Sequence, residues 1–285
     1  MSAYLSGRGA VVVGGSRGIG LAVAELLAQH GAGVIVNGRD ADAATEAARR
    51  IPGAVAYAGS PADPAVADAL IASCISEFGR IDILVNCAGT AGLAGESILS
   101  VTSAQFRELV DAHLLTTFET CRAAAPRMVQ QGGGAIINTS SFAFLGDYGG
   151  TGYPAGKGGV NGLTLAIAAE CKEHGVRANV VCPGAKTRLS SGTGYESHIT
   201  ELNRRGLLDD ASTQAALDAP PPEYAAPIYG FLASDLAKDV TGRIFIAAGG
   251  FVGEFKRPNP VVIGYRDHRD AAPWSMDELH ALIAG

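Results

Sequence analysis

The sequence predicts an α/β protein of the Rossmann type, with a doubly wound parallel sheet of seven strands and helices on both faces. Short runs rich in valine and isoleucine alternate with longer helical patterns over most of the 285 residues. These runs lack the polar–apolar alternation of a half-exposed strand, which is typical of strands buried on both faces. A glycine-rich turn follows the first run. No internal repeat or low-complexity linker divides the chain, so we expect a single domain over residues 1–285.

The seven expected strands share this buried composition, and helical stretches connect them. In chain order the strands are AVVV from Ala10, GVIVN from Gly33, AVAYA from Ala54, IDILVN from Ile81, AIINT from Ala135, RANVV from Arg177 and RIFIA from Arg243. The helical stretches include residues 19–30, 64–78, 103–130, 155–174 and 223–233. Strands joined by right-handed helical crossovers form a parallel sheet.

Two segments interrupt this alternation. Residues 188–222 form an insertion that is too long for an ordinary loop, and such an insertion is typical of a lid over a substrate site. Residues 251–285 form a C-terminal tail, in which SMDELHALI predicts a short helix. Its start is indicated by Ser275 and Glu278, which have the spacing of a capping box.

Charge and composition argue against several classes of protein. The net charge of −6 is opposite to the basic surface that nucleic acid or an anionic membrane would need. Five scattered cysteines without a C-x-x-C pair, and six dispersed histidines, predict reduced thiols and no metal site. No apolar run reaches membrane-spanning length, and the first residues lack the pattern of a signal peptide. We therefore expect a cytoplasmic protein.

The segment VVVGGSRGIG joins the first strand to the first helix and predicts a phosphate site for a dinucleotide. Its glycines allow a sharp turn and a close approach of the backbone to a pyrophosphate, to which the helix presents free N–H groups. A glycine-rich turn can serve packing alone, but this position at the first strand–helix junction favours cofactor binding. The residues expected to contact the cofactor here are Gly14, Ser16, Arg17, Gly18, Ile19 and Gly20.

The end of the second strand, VIVNGRD, favours NADP over NAD. An NAD site usually carries an acid here that binds the ribose hydroxyls, and we place Asn37 at that position. Arg39 follows, and Arg17 adds a second guanidinium; two arginines without a carboxylate suit a 2′-phosphate. Both arginines can also be solvated surface charges, and Asp40 adds a carboxylate nearby. On balance the pattern predicts NADP(H) as the cofactor.

The stretch GTGYPAGKGG places Tyr153 and Lys157 four residues apart, a spacing that puts both side chains on one face of a helix. Pro154 is compatible with a first helical turn, so we expect the helix to begin near Tyr153. A free phenol has a pKa of about 10, and a nearby cation lowers that pKa by stabilising the phenolate. Taken alone, the pair can equally be a tyrosine at a helix start and a surface lysine.

Three further turns are expected at the carboxyl edge of the sheet, where ligands bind in open α/β folds. AIINTSSF ends a strand in Ser140 and Ser141, shortly before the tyrosine. LVNCAG ends the fourth strand in a glycine turn, and CPGAKT follows the sixth strand, where it can wrap the nicotinamide half of a cofactor. The residues expected to face the cofactor in the last two turns are Asn86, Ala88, Gly89, Pro183, Gly184 and Thr187.

These motifs, taken together and in this order, resemble the short-chain dehydrogenase/reductase family over roughly residues 7–250. The resemblance implies that Tyr153 exchanges a proton with a substrate carbonyl or alcohol, while Ser141 hydrogen-bonds to the reacting oxygen. It implies that Lys157 lowers the pKa of the tyrosine and that Tyr153 and Lys157 contact the nicotinamide ribose. It also implies a small carbonyl or alcohol substrate and a homodimer or homotetramer.

The sequence departs from the family pattern at several positions. His113 stands on the long helix where the family usually has an asparagine, so we include it among the catalytic candidates. We expect its imidazole to stay neutral and to pass protons between solvent and Lys157; a packed helix histidine is the alternative. The spacing of the motif leaves Ser140 and Ser141 as alternatives for the catalytic serine. Cys87 replaces the second asparagine of the Asn-Asn-Ala-Gly turn.

The sequence therefore predicts an NADPH-dependent ketoreductase. One alternative is an NAD(P)-dependent alcohol dehydrogenase or 3-hydroxyacyl thioester dehydrogenase that runs in the oxidative direction. Another is a protein that binds dinucleotides without turnover. This second alternative predicts the loss of the tyrosine or the lysine, and both Tyr153 and Lys157 are present.

Overall fold

A mostly parallel sheet organises the chain, which a computed structural model describes for residues 3–92 and 96–284. The chain divides into two compact units, Met1–Phe255 and Lys256–Gly285. In the described residues the sheet has eight strands: β1 Gly9–Val13, β2 Gly33–Gly38, β3 Val55–Ala58, β4 Ile83–Asn86, β5 Gly134–Thr139, β6 Val176–Gly184, β7 Ile244–Ala248 and β8 Phe251–Phe255. Their order across the sheet is β3-β2-β1-β4-β5-β6-β7-β8.

The first seven strands confirm the predicted doubly wound parallel sheet, and the eighth corrects the predicted strand count. β1 to β7 pair in parallel, whereas β8 pairs with β7 antiparallel. Residues 251–255, which the sequence analysis assigns to the tail, form this edge strand. The side chains of Phe251 and Val252 are 57% and 68% exposed, so β8 lacks the buried apolar run by which the other strands are found.

Helices cover both faces of the sheet, as predicted. Within residues 3–92 and 96–284 they are α1 Gly18–Gln29, α2 Ala41–Arg50, α3 Pro64–Phe78, α4 Ser103–Val110, α5 Thr116–Gln130, α6 Gly152–Glu170, α7 Thr193–Arg204, α8 Asp210–Leu217, α9 Ala226–Ala233 and α10 Met276–Ala284. One buried apolar layer joins α1 and α9 to the sheet, and the other joins α3, α5 and α6 to it.

The helix predicted over residues 103–130 is continuous, but its middle is a π-helical turn, Asp111–Leu115, between α4 and α5. The hydroxyl of Thr116 donates to the carbonyl of Asp111 at 3.1 Å, and that of Thr117 donates to the carbonyl of His113 at 2.7 Å. Threonine hydroxyls that bond back to the preceding turn compete with the regular helix pattern. π-turns are frequent at functional sites, and this one carries His113.

A row of buried polar side chains runs through the middle of the sheet. The Thr120 hydroxyl donates to Oδ1 of Asn86 at 2.8 Å, and Nδ2 of Asn86 donates to Oδ1 of Asn138 at 2.9 Å. Nδ2 of Asn138 then donates to the Thr164 hydroxyl at 2.9 Å. Asn86 and Asn138 are register partners on β4 and β5, so this polar row connects α5, β4, β5 and α6.

The unit Lys256–Gly285 contains α10 and the predicted capping box. The backbone N–H of Ser275 donates to Glu278 at 2.7 Å and the N–H of Glu278 donates to the Ser275 hydroxyl at 3.2 Å, which confirms the predicted helix start. Arg266 pairs with Glu278 at 2.6 Å, and its guanidinium lies 3.8 Å from the ring centroid of Trp274. A guanidinium over an indole ring and a paired carboxylate stabilise this short segment.

None of the helices described in 3–92 and 96–284 combines the length and the apolar character needed to cross a membrane. The same residues contain no cluster of three or more metal-ligating side chains. All five cysteines are free thiols, as predicted.

Candidate active site

The candidate site lies at the carboxyl edge of the sheet, where β1 separates two halves of the fold. β1 pairs with β2 on one side and with β4 on the other, so the connections after these strands run in opposite directions. In open α/β folds, ligands bind in the crevice that this change of direction opens. The turns that follow β1, β4, β5 and β6 carry several of the candidate site residues.

The glycine turn after β1 has features of an anion-binding site. Gly14 has a φ of +74°, and a Cβ atom at this position would lie 2.7 Å from the backbone N of Ala88. Arg17 is the N-cap residue of α1 and makes no side-chain bond to the first turn of that helix. The uncapped N–H groups and the positive end of the helix could therefore hold an anion such as a pyrophosphate.

The residue at the end of β2 that faces this turn is Gly38 rather than Asn37, which corrects the sequence analysis. Asn37 is 1% exposed, and its Nδ2 donates to the carbonyls of Tyr57 at 3.1 Å and Gly59 at 3.2 Å. A Cβ atom at Gly38 would lie 2.9 Å from the Ser16 hydroxyl oxygen. Since neighbouring residues of a strand point to opposite faces, only one of the two can face the turn.

Arg17 and Arg39 lie at the predicted 2′-phosphate site, and Arg17 forms an ion pair with Asp40. Arg39 is exposed, and Arg17 lies 3.2 Å from the Asp40 carboxylate, with more than half of each side chain in solvent. Asp40 also accepts a hydrogen bond from the backbone N of Ala43 and caps α2. Exposed ion pairs contribute only about 0–1 kcal/mol, so the pair with Asp40 leaves Arg17 available to another anion.

The turns after β4 and β6 bring their backbones, rather than the Asn86 side chain, to this edge. Asn86 is buried, and its amide is used within the polar row described above. A Cβ atom at Gly89 would lie 2.7 Å from the His113 ring, so this turn packs closely on the π-turn. A Cβ atom at Gly18 would lie 3.5 Å from the Thr187 side chain, which places the loop after Pro183 and Gly184 beside the glycine turn.

Ser141, Tyr153 and Lys157 lie together at the start of α6. Tyr153 is the second residue of α6, as the position of Pro154 predicts, and the Ser141 side chain lies near enough to its phenol to lower the tyrosine pKa. Nζ of Lys157 lies 5.8 Å from the centroid of the Tyr153 ring, a distance at which a cation is attracted to an aromatic face. Nζ also donates to the carbonyl of Thr139 at the end of β5, at 2.9 Å.

The electrostatics of this cluster differ from the sequence expectation for the tyrosine. Burial raises the pKa of Tyr153 above its usual value, and the nearby Ser141 side chain only partly opposes this rise. Lys157 is 4% exposed, and burial lowers its pKa to about 8. The ammonium bonds to the carbonyl of Thr139 rather than to the phenol oxygen, and desolvation, not Lys157, sets the direction of the shift in the tyrosine pKa.

The two adjacent serines have different partners. Ser141 is the N-cap of a short 3₁₀ turn and accepts a hydrogen bond from the backbone N of Ala143 at 3.2 Å, and its side chain lies near the Tyr153 phenol, whose pKa it lowers. Ser140 is 3% exposed, and its hydroxyl donates to the backbone carbonyl of Lys157 at 3.2 Å. The geometry therefore puts Ser141 beside the phenol and makes Ser140 a link between β5 and α6.

His113 packs against the tyrosine from the π-turn. Its Nε2 lies 3.0 Å from the carbonyl of Thr90, which can only accept, so Nε2 carries the proton. Nδ1 is buried without a hydrogen-bond partner among the described residues. The rings of His113 and Tyr153 meet edge to face, with centroids 4.8 Å apart and planes at 85°. Burial, with a smaller contribution from Lys157, lowers the pKa of His113 to about 3, so the ring is neutral near neutral pH.

The insertion over residues 188–222 contains α7 and α8, and it packs on the loop between Ser141 and Tyr153. Ile199, Leu202 and Leu208 form a small buried cluster to which Tyr148 and Tyr195 also belong. Nε2 of His198 lies 3.0 Å from the carbonyl of Tyr148. The insertion thus contacts the loop that leads into α6, a contact that no local sequence pattern indicates.

A comparison with protein families agrees with this arrangement. The family described as short chain dehydrogenase matches residues 8–193, which include the glycine turn, the Asn-Cys-Ala-Gly turn and the Ser-Tyr-Lys cluster. The chain belongs to this family of oxidoreductases, whose members use NAD(P)(H). The family resemblance drawn from the sequence is therefore confirmed.

Individual relatives cover nearly the whole chain. A 3alpha-hydroxysteroid dehydrogenase of Mediterraneibacter gnavus is 34% identical over 262 residues, which span 87% of this chain and 98% of the relative. The 3-oxoacyl-[acyl-carrier-protein] reductase FabG of Chlamydia muridarum is 30% identical over 265 residues, spanning 88% and 99%. A short chain dehydrogenase from Mycobacterium avium has a similar crystal structure, with a TM-score of 0.80 and 31% identity, covering 99% of this chain and 94% of that one.

Proposed function

We propose that the protein is an NADPH-dependent ketoreductase in which Tyr153 is the proton donor. The observation that carries this proposal is the cluster of Ser141, Tyr153 and the buried Lys157, in which Nζ of Lys157 lies 5.8 Å from the centroid of the tyrosine ring. This cluster lies at the same edge of the sheet as the uncapped glycine turn of α1. A protein that only binds dinucleotides would have no use for the acid–base cluster.

In the proposed mechanism this chain's residues bind the carbonyl and deliver its proton. Ser141 donates a hydrogen bond to the carbonyl oxygen and stabilises the negative charge that develops there. Tyr153 transfers its phenolic proton to that oxygen, and the raised pKa keeps this proton in place until the oxygen becomes basic. Lys157 then stabilises the phenolate electrostatically. The cofactor supplies the hydride when it is bound.

The residues proposed to hold the cofactor fall into two groups. The pyrophosphate would bind the turn from Gly14 to Gly20, and the 2′-phosphate would bind Arg17 and Arg39. The turns after β4 and β6 and the pair on α6 would hold the nicotinamide half, through the residues Ala88, Gly89, Tyr153, Lys157, Pro183, Gly184 and Thr187, while Asn86 would support the turn after β4 from within the sheet. NADP is preferred over NAD in this proposal because Gly38 leaves no acid at the end of β2.

The cofactor preference can be tested by replacing Arg39 with alanine. Removing a charge-assisted contact to the 2′-phosphate should weaken NADPH binding by about 1–3 kcal/mol, or roughly 5- to 150-fold, and leave NADH binding unchanged. Isothermal titration of both cofactors measures this difference. Arg49→Ala is the control, since Arg49 is an exposed arginine on the neighbouring α2 that pairs with Glu46 at 3.7 Å. Equal affinity of the parent protein for NADPH and NADH would refute the assignment.

The roles of the two serines can be separated by single alanine substitutions. Ser141→Ala should lower kcat by about 10²-fold, because it removes a donor at the reacting oxygen. Ser140→Ala should mainly lower stability, by about 1 kcal/mol, since it removes a buried hydrogen bond to α6. Steady-state kinetics and thermal denaturation measure the two effects. The reverse order of kcat values would identify Ser140 as the catalytic serine.

The direct test of the proposed function is NADPH oxidation by the purified protein with a panel of carbonyl compounds. The panel should contain ketones, quinones, polyketide-like diketones and 3-oxoacyl thioesters, because the relatives named above act on chemically different substrates. The alternative is an alcohol or 3-hydroxyacyl thioester dehydrogenase, and the similarity to a hydroxysteroid dehydrogenase supports it. This alternative predicts faster reduction of NAD(P)⁺ by the corresponding alcohols. Cofactor binding without turnover in either direction would reject both.

A further inference from the structure

Helix α6 carries Tyr153 and Lys157, yet its own N-cap residue does not cap it. Thr151 occupies the N-cap position and makes no side-chain hydrogen bond to the helix. The first N–H groups of a helix have no partner within the helix and need an acceptor from elsewhere. Glu96, 55 residues earlier in the chain and between β4 and α4, supplies that acceptor.

One carboxylate oxygen of Glu96 holds the start of α6. Oε1 accepts the backbone N–H of Thr151 at 3.1 Å and the backbone N–H of Gly152 at 2.5 Å. Gly152 is the residue immediately before Tyr153. A negative charge at the positive end of a helix is stabilising, and hydrogen bonds to a charged acceptor are stronger than neutral ones.

The rest of the Glu96 environment makes these two bonds important. Oε2 is buried and has no hydrogen-bond partner in residues 3–92 and 96–284, so the carboxylate depends on the two amides. The same connection also approaches the tyrosine at Gly92, where a Cβ atom would lie 3.5 Å from Cβ of Tyr153. The chain that leaves the turn after β4 therefore contacts the base of Tyr153 and the amides in front of it.

We propose that Glu96 is a positioning residue for the reaction, which fixes the first turn of α6 and so holds the Tyr153 phenol against Ser141. Proton transfer depends steeply on the placement of the donor, and a small displacement of the helix start would move the phenol away from the reacting oxygen. This inference rests on the proposed function, because it requires Tyr153 to be the acid. The contact also ties the turn after β4, which faces the proposed cofactor, to the helix that carries the acid.

The first test measures the cap itself, without turnover. Hydrogen exchange at the amides of Thr151 and Gly152 should accelerate by about tenfold or more in Glu96→Ala, because both amides lose their acceptor. In Glu96→Gln, which keeps an acceptor oxygen, the exchange should stay within about threefold of the parent rate. Asp63→Ala is the matched control: Asp63 caps α3 by accepting the backbone N–H of Ala65 at 2.8 Å, and α3 carries none of the candidate site residues.

The second test measures whether the cap matters for the chemistry. Glu96→Ala should lower kcat by about 10- to 100-fold, while the Kd for NADPH, measured by titration, stays within about twofold of the parent value. Glu96→Gln should restore most of the lost kcat. Asp63→Ala should lower the melting temperature to a similar extent as Glu96→Ala and leave kcat unchanged.

The outcomes separate this inference from the proposed function. If the parent protein reduces no carbonyl compound while Glu96→Ala still accelerates exchange, the proposed function fails and the positioning role falls with it. If the parent is active and Glu96→Ala keeps the parent kcat, the inference is overturned and the proposed function stands. A loss of kcat in Asp63→Ala as large as that in Glu96→Ala would also overturn it, because general destabilisation would then explain the effect.

Discussion

Replacing Tyr153 with phenylalanine should reduce turnover by about 10²- to 10⁴-fold, the range that a positioned general acid contributes. The substitution removes only the phenolic oxygen. The edge-to-face contact with His113, at a centroid distance of 4.8 Å, can remain, so the fold and the cofactor site should be preserved. Steady-state kinetics with the best ketone of the panel, together with NADPH titration, measure the two properties separately.

The matched control for this variant is Tyr229→Phe. Tyr229 is fully buried, and its phenol lies 2.9 Å from the Thr139 hydroxyl, so its removal also costs a buried hydrogen bond. We expect Tyr229→Phe to lose stability and to keep most of its turnover. A Tyr153→Phe protein with parental kcat would show that another group donates the proton, and the proposed mechanism would have to be abandoned.

The Lys157→Met variant should lose both turnover and cofactor affinity, since the proposed role of Lys157 includes the phenolate and the nicotinamide ribose. It should also change the pH dependence of stability. Burial lowers the pKa of Lys157 from 10.5 to about 8, so between these values the unfolded chain binds more protons than the folded one. The stability of the parent should therefore rise with pH across this window, by roughly 3 kcal/mol at most.

Chemical denaturation of the parent and of Lys157→Met at several pH values between 7.5 and 10.5 checks this expectation. The difference between the two proteins isolates Lys157 from the cysteines and tyrosines that titrate in the same range. Methionine has no charge to desolvate, so the variant should lack the rise. Parallel stability curves for the two proteins would mean that Lys157 keeps its ordinary pKa in the folded state.

The sheet could be predicted from the sequence because burial on both faces leaves a direct signal. β1 to β7 read as apolar runs, and the turns after them carry glycine and polar residues in a recognisable order. β8 has no such signal, since Phe251 and Val252 are exposed at the edge. The difference between Asn37 and Gly38 depends on which face of β2 each residue occupies, and a fully apolar strand gives no alternation from which to decide.

The sequence predicts which residues belong to the candidate site, but it does not predict the contacts between them. Tyr153 and Lys157 share a helix face, so four residues of spacing suffice to bring them together. The partner of Lys157 is the carbonyl of Thr139, and that of His113 is the carbonyl of Thr90. Backbone carbonyls carry no sequence signature. The same holds for Glu96, whose partners are two backbone N–H donors on a distant segment that the folded sheet brings near.

The polar row through β4 and β5 determines how the two sides of the site can be aligned. Within the row each amide both accepts and donates a hydrogen bond, both amides also contact the Cys121 thiol, and Asn86 faces Asn138 directly. If β4 were shifted by one residue along β5, these amides would lie among apolar side chains without hydrogen-bond partners. Each unsatisfied polar group would cost about 1–3 kcal/mol of stability. Mispaired sheets are thereby disfavoured during folding. The pairing of Asn86 with Asn138 therefore fixes the register of β4 against β5, and with it the relative placement of the turns that follow these two strands.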